Sequence, residues 1–227
     1  MFRRFIVAID GPAGSGKSTS AKLVAQKLGF LYIDTGAMYR AITFLAMEKN
    51  ILNSQNEVSK LAETCVMKLR FVEGKTQIHV DDKDLTKEIR SPEVNAKVSE
   101  ISKIQGVRQA LVQKQREMAA ENAGVVMEGR DIGTVVFPNA DVKIYLIASL
   151  DERSKRRAKE FAEQGKNITV EAVKENLVQR DIIDSTREFA PLTKASDAIE
   201  VDTSNITIEE QVEIIVQLIN EKLKNYN

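Results

Sequence analysis

The sequence predicts an α/β fold in which a parallel sheet is flanked by helices. Short apolar runs recur along the chain, and longer stretches with helical periodicity separate them. The apolar runs also lack the polar alternation of a sheet with one wet face. Such near-continuous hydrophobicity suits strands covered on both sides. Alternation of strands and helices then implies right-handed crossovers within one sheet.

The expected strands are residues 5–9, 31–33, 125–127, 142–147 and 198–201. The first helix is expected from Ser18 to Leu28, with Ala21, Val24, Ala25 and Leu28 on one face and Gly29 as its C-terminal cap. Near the other end of the chain, Thr207 and Glu210 have the spacing of a capping box. Val212, Ile215, Val216, Ile219 and Leu223 follow at helical intervals.

One segment, from about residue 60 to residue 106, breaks this rhythm. Residues 67–72 and 76–80 alternate on either side of Gly74, which predicts a small hairpin with one solvated face. It is expected as an insertion between the second and third core strands. His79 is read as an ordinary strand residue, and Cys65 as a small buried apolar group in a helical stretch.

The chain has 227 residues, 43% of them hydrophobic and 29% charged, which fits one domain with a sizeable insertion. Its 33 basic and 33 acidic residues cancel. A neutral chain argues against nucleic acid or an anionic membrane as partner, so any anion must be met by local chemistry. A single cysteine excludes an intramolecular disulfide and a multi-cysteine zinc site. A single histidine disfavours a His-rich metal site or a Ser-His-Asp triad. The first apolar run ends at Asp10, too short for a secretion signal, and no run approaches the roughly 20 residues that span a bilayer. A soluble, cytoplasmic protein is expected. It is read as a monomer, because no coiled-coil pattern or exposed apolar stripe is evident.

Gly11, Pro12, Ala13, Gly14, Ser15, Gly16, Lys17 and Ser18 follow the first strand and open the first helix, with Thr19 beyond them. They match the G-x-x-x-x-G-K-[ST] phosphate loop in its confirming context. Glycines let backbone N–H groups converge on phosphate oxygens, and the helix N-terminus adds positive potential. Lys17 is expected to reach the β- and γ-phosphates of a nucleotide, and Ser18 to ligate Mg²⁺. A regulatory GTPase would need an Asn-Lys-x-Asp element, which is absent, and a large mechanochemical ATPase needs a longer chain. Small kinases remain.

Other arginines lie where an acceptor would sit. Thr35, Tyr39 and Arg40 follow the second strand, at the sheet end that carries the phosphate loop. They suit a second phosphate, although a helix cap with a solvated arginine reads similarly. Arg130 and Asp131 lie between glycines after the third core strand, where arginine can grip phosphate and the carboxylate can accept from an amino group. Arg153, Arg156 and Arg157 share a helix face that could close over a triphosphate or simply be solvated. Arg180, Asp184 and Arg187 share another, suited to phosphate and sugar or to a salt-bridge ladder.

Taken together, these motifs resemble the bacterial cytidylate kinases, phosphate-loop enzymes that phosphorylate CMP and dCMP with ATP. The resemblance covers essentially the whole chain and rests on residues 9–18, 34–40, 88–90, 129–138 and 180–187. It implies a P-loop kinase core with a mixed α/β nucleoside-monophosphate-binding insert at about 60–106 and a short helical lid at about 151–168. It further implies that Thr35, Tyr39, Arg40 and Arg130 surround the CMP phosphate, and that Ser99, Arg108 and Asp131 read the cytosine edge. Arg180 and Asp184 would hold the sugar, and Arg187 would sit near the phosphates or base. Residues from Gly11 to Thr19 would bind ATP with Mg²⁺. Lys17, Arg130, Arg153, Arg157 and Arg187 would stabilise charge during direct in-line transfer, without a phosphoenzyme. Glu128 departs from the pattern, since relatives often carry Asp before Gly-Arg-Asp. The rival readings are a kinase for UMP or another small acceptor, and a nucleotide-binding regulator without turnover.

Overall fold

The computed structural model describes residues 4–72, 75–163 and 165–224. Residues 1–3, ahead of the first apolar run, and the expected hairpin glycine, Gly74, lie outside them.

In chain order the core elements begin with β1 (Phe5–Asp10), α1 (Lys17–Leu28), β2 (Leu31–Asp34) and α2 (Thr35–Glu48). An excursion follows, made of α3 (Gln55–Thr64), β3 (Met67–Val72), β4 (Lys75–Val80), β5 (Lys83–Asp84), α4 (Pro92–Ile101) and α5 (Gln105–Ala120). The chain returns through β6 (Gly124–Gly129), β7 (Val142–Ile147), the helical pair α6 (Leu150–Glu163) and α7 (Val170–Thr186), then β8 (Ile199–Asp202) and α8 (Ile208–Lys224).

The five core strands form one parallel sheet in the order β2-β6-β1-β7-β8. Both faces are covered, which explains the unbroken apolar strands. On one face Ile33 and Met127 meet Met38 and Ile42 of α2 and Leu111 of α5. On the other, Val7, Ile144 and Leu146 meet Val24 of α1 and Ile215 and Ile219 of α8. The expected capping box is formed: the Thr207 N–H donates to Glu210 at 2.8 Å, and the Glu210 N–H donates to Thr207 Oγ1 at 3.2 Å.

The excursion contains the expected hairpin, with Met67 opposite Val80 and a short third strand, β5, beyond it. Thr76, Ile78 and Val80 are buried, while Gln77 and His79 between them are only partly so. Phe71 ties the hairpin to the core, its ring meeting Tyr32 edge-on at 5.4 Å between centroids. Cys65 is buried just past the end of α3 rather than within the helix. The expected boundaries near 60 and 106 fall inside α3 and α5, which pack against one another. The two-residue period located the hairpin but carries no information about the helices that support it.

Candidate active site

β1 is the central strand, and the chain leaves its carboxyl end into the phosphate loop. Gly16 caps α1 with φ 86°, a left-handed conformation that favours glycine. Lys17 opens the helix, and its Nζ donates to the Pro12 carbonyl at 3.0 Å. The loop is braced from behind, where Arg153 Nη1 donates to the Ala13 carbonyl at 3.0 Å and Thr203 Oγ1 to the Ser15 carbonyl at 3.2 Å. On its inner side Ser18 Oγ donates to Glu128 Oε1 at 2.6 Å.

β2 and β6 end beside this loop and supply the second half of the site. Asp34 caps α2 by accepting from the Ala37 N–H at 2.8 Å, and it also meets Arg40 Nη2 at 3.4 Å. Thr35 Oγ1 donates to the Glu128 carbonyl at 2.7 Å. A Cβ on Gly129 would stand 2.8 Å from that same hydroxyl, so only glycine lets the two strand ends approach this closely.

Beyond β6, Arg130 Nε donates to Asp184 of α7 at 2.7 Å. Asp131 pairs with Arg108 of α5, whose other nitrogen donates to the Ser102 carbonyl at 3.1 Å. The Arg108 guanidinium lies 5.5 Å from the centre of the Tyr39 ring. Arg187 stands between Asp131 and Asp184, at 3.9 and 3.8 Å, and donates from Nε to the Ala190 carbonyl at 2.7 Å.

The phosphate loop and this second set line one cavity of about 830 Å³. Its electrostatics are those of crowded cations. Burial, with Arg130 and Arg180 nearby, lowers Lys17 to about 7 despite the opposing charges of Glu128 and Asp184. Burial and Arg130 lower Arg180 to about 10, and its Nε has no hydrogen-bond partner among the described residues. Burial and Asp34 raise Glu128, while burial is outweighed at Asp184, which Arg130, Arg187 and Arg180 hold below the usual carboxylate range. Positive groups that depress one another favour a multiply charged anion between them.

Thr35, Tyr39, Arg40, Ser99, Arg108, Arg130, Asp131, Arg180, Asp184 and Arg187 all border this cavity, opposite Gly14, Gly16, Lys17, Ser18 and Thr19. Ala13 borders it too, whereas Gly11, Pro12 and Ser15 form the back of the loop.

The three arginines expected on one helix face have three different settings. Arg153 turns inward and is not part of the cavity wall, its guanidinium bonded to Ala13, Ala148 and Asp181. Arg156 reaches the wall but is held by Glu152 and Thr203. Arg157 borders the cavity, stacks on Phe161 at 4.7 Å and pairs with Glu160 at 2.6 Å. Helical spacing places side chains on one side of a helix but does not say which neighbouring element meets each.

Three acids were not singled out from sequence: Asp10, Asp34 and Asp181. Each binds a residue or loop of the site. Asp10 and Asp34 do carry a signal, an acid closing an apolar strand directly before a glycine-containing turn.

The central-strand phosphate loop and the facing cationic site define a P-loop phosphotransferase acting on a small acceptor. The profile of the cytidylate kinase family matches residues 7–221. A cytidylate kinase of Bacillus licheniformis is 46% identical over 224 residues, covering 98% of this chain and 99% of its own length. One from Clostridioides difficile is 48% identical over 216 residues, covering 95% and 98%. Among solved structures, an uncharacterized protein from Eubacterium ventriosum shares the fold, with a TM-score of 0.55 at 15% identity over 96% of this chain and 99% of that one. The chain belongs to the cytidylate kinase family.

Proposed function

We propose that the protein transfers the γ-phosphate of ATP to CMP or dCMP, giving ADP and the corresponding diphosphate. The observation that carries this reading is the shared cavity, in which a phosphate loop faces a second cluster of cations beside a polar set suited to a pyrimidine edge. Family membership agrees with it.

The residues divide the work as follows. Backbone N–H groups of Gly14 to Thr19 cradle the triphosphate, and Lys17 follows the charge that develops on the transferred group. Arg40 and Arg130 hold the acceptor phosphate, with Thr35 and Tyr39 beside it. Asp131 accepts from the exocyclic amino group of cytosine, where uracil would present a carbonyl and be repelled, and Ser99 and Arg108 meet the rest of that edge. Asp184 and Arg180 hold the sugar, and Arg187, fixed between Asp131 and Asp184, keeps both carboxylates oriented.

The acceptor oxygen attacks the γ-phosphorus directly, the bond to the ADP oxygen breaks, and no side chain becomes phosphorylated. The hairpin-containing segment of about 60–106 serves as the acceptor-binding insert, and the segment of about 151–168, most of α6 and the turn after it, as the lid. Arg157 on that lid supplies charge to the transferred group, and closure excludes water. Ser18 and the buried carboxylate Glu128, with the Asp34 charge nearby, would offer oxygen donors suited to Mg²⁺. An ion held there would supply charge neutralisation to the phosphates.

Among the described residues no helix is long and apolar enough to cross a membrane. The proposal takes the protein to be a cytoplasmic, monomeric enzyme of nucleotide metabolism. An ADP-release assay with CMP, dCMP, UMP, AMP and shikimate tests the assignment. CMP- and dCMP-dependent release supports it, while preference for another acceptor, or no acceptor-dependent release, overturns it.

A further inference from the structure

The ladder between β1 and β6 ends at the pair Asp10 and Gly129. Beyond it the chains part, Gly11 entering the phosphate loop and Arg130 entering the acceptor loop. At this fork the Asp10 side chain continues the connection. Its Oδ1 accepts from the Ile132 N–H at 2.9 Å and its Oδ2 from the Gly133 N–H at 2.8 Å. These amides open the single π-helical turn 132–136, directly after Arg130 and Asp131. One carboxylate, adjoining the phosphate loop, thereby fixes the backbone that carries two acceptor-site side chains.

Asp10 is 5% exposed and does not border the cavity, so it has no access to either nucleotide. It also has a cheaper alternative. Burial pushes its carboxyl up to about 6, although both amides and Lys17 oppose this. A neutral asparagine would avoid that cost, but would turn an NH₂ donor toward one of two N–H groups. Only a carboxylate offers two acceptors in this shape.

The geometry points to Asp10 as a positioning residue that sets the distance between the donor and acceptor loops during phosphoryl transfer. In-line transfer needs the reacting atoms roughly 3–3.5 Å apart, and a misplacement of about 1 Å costs on the order of 10²-fold in rate. A bond between the loops bears on this distance, whereas each loop retains its own means of binding its nucleotide.

The inference rests on the kinase reading above, so wild type and Asp10→Asn are compared in one experiment at pH 8. kcat is measured with ATP and CMP, and the dissociation constants of ATP alone and CMP alone are measured by calorimetry. The expected result is a fall in kcat of about 10²-fold, with both dissociation constants changed by less than about threefold. A purely structural role would instead weaken one or both binary complexes in step with kcat, and that outcome overturns the inference, as does an unchanged kcat. Absence of wild-type turnover fails the kinase reading, and the inference with it. If Asp10→Asn does not fold, Asp10→Ser, which keeps one acceptor in a smaller volume, undergoes the same measurements. Failure of both to fold makes Asp10 a folding residue and overturns the inference.

Discussion

Ser18 Oγ donates to Glu128 Oε1 at 2.6 Å, joining the first helix of the core to the end of β6. The hydroxyl expected to face Mg²⁺ therefore already meets a buried carboxylate, which also accepts from Tyr32 at 3.4 Å. Burial and the nearby Asp34 raise the pKa of Glu128, so a cation between the two acids relieves their repulsion. Glu128→Gln keeps the shape and removes the charge. The Mg²⁺-dependent gain in ATP affinity should fall about tenfold, the lower range for loss of a group supporting a metal site. ATP affinity in excess chelator should move less than threefold. Titrations with Mg²⁺ and with EDTA check this, and equal losses in both would remove Glu128 from the metal's surroundings.

Asp131 is held between Arg108 and Arg187 at the acceptor end of the cavity. Two guanidiniums keep its carboxylate available as an acceptor for an amino group. Asp131→Asn offers a donor in its place and loses part of that support. A mispaired buried polar group costs about 1–3 kcal/mol, so the CMP/UMP ratio of kcat/KM should fall roughly 10- to 100-fold. An unchanged ratio would show that cytosine is read elsewhere.

Arg153 and Arg157 lie four residues apart on α6 yet should respond oppositely to truncation. Arg153 is buried and bonded to Ala13, Ala148 and Asp181, so Arg153→Met leaves those acceptors unpaired. Its partner Asp181 is partly exposed, which reduces the penalty. A loss of about 2–3 kcal/mol in urea unfolding is expected, with the KM for ATP rising more than that for CMP. Arg157 pairs with the exposed Glu160 and lies over the partly buried Phe161 ring, whose face a methionine can still cover, so Arg157→Met should change stability by less than about 1 kcal/mol while lowering kcat. The reverse pattern would return Arg153 to the phosphates.

The contrast between these arginines shows where sequence reading reaches its limit. Strands buried on both faces and the glycine-lysine loop are local patterns, and both were legible. Arg130, Asp131 and Arg180 also stand in recognisable motifs, and the fold brings them to one cavity. Tertiary partners were not legible. Nothing near Arg153 in sequence announces Asp181 or the Ala13 carbonyl, and nothing near Asp10 announces the amides of Ile132 and Gly133, over a hundred residues away. The helix α5 was likewise hidden, since it supports the hairpin without sharing its period.

Lys17 gives the protein a proton-linked signature of nucleotide binding. Burial, followed by the charges of Arg130 and Arg180, lowers its pKa from the ordinary 10.5 to about 7, so at pH 8 most of the free protein carries a neutral amine there. A triphosphate in the loop brings negative charge to Lys17 and favours its ammonium, raising the pKa again. ATP binding must then take up a proton, since the bound state holds more protons than the free state. With the free pKa lowered so far, uptake should approach one proton per ATP as pH rises above that pKa and fall toward zero below it. ATP affinity should accordingly decline as pH rises above 7, by up to tenfold per unit. Lys17→Arg keeps a permanent charge and should abolish most of the uptake. Calorimetric titration at pH 8 in buffers of different ionisation enthalpy measures the proton count. A wild-type count near zero, or one unchanged in Lys17→Arg, would place the titrating group elsewhere.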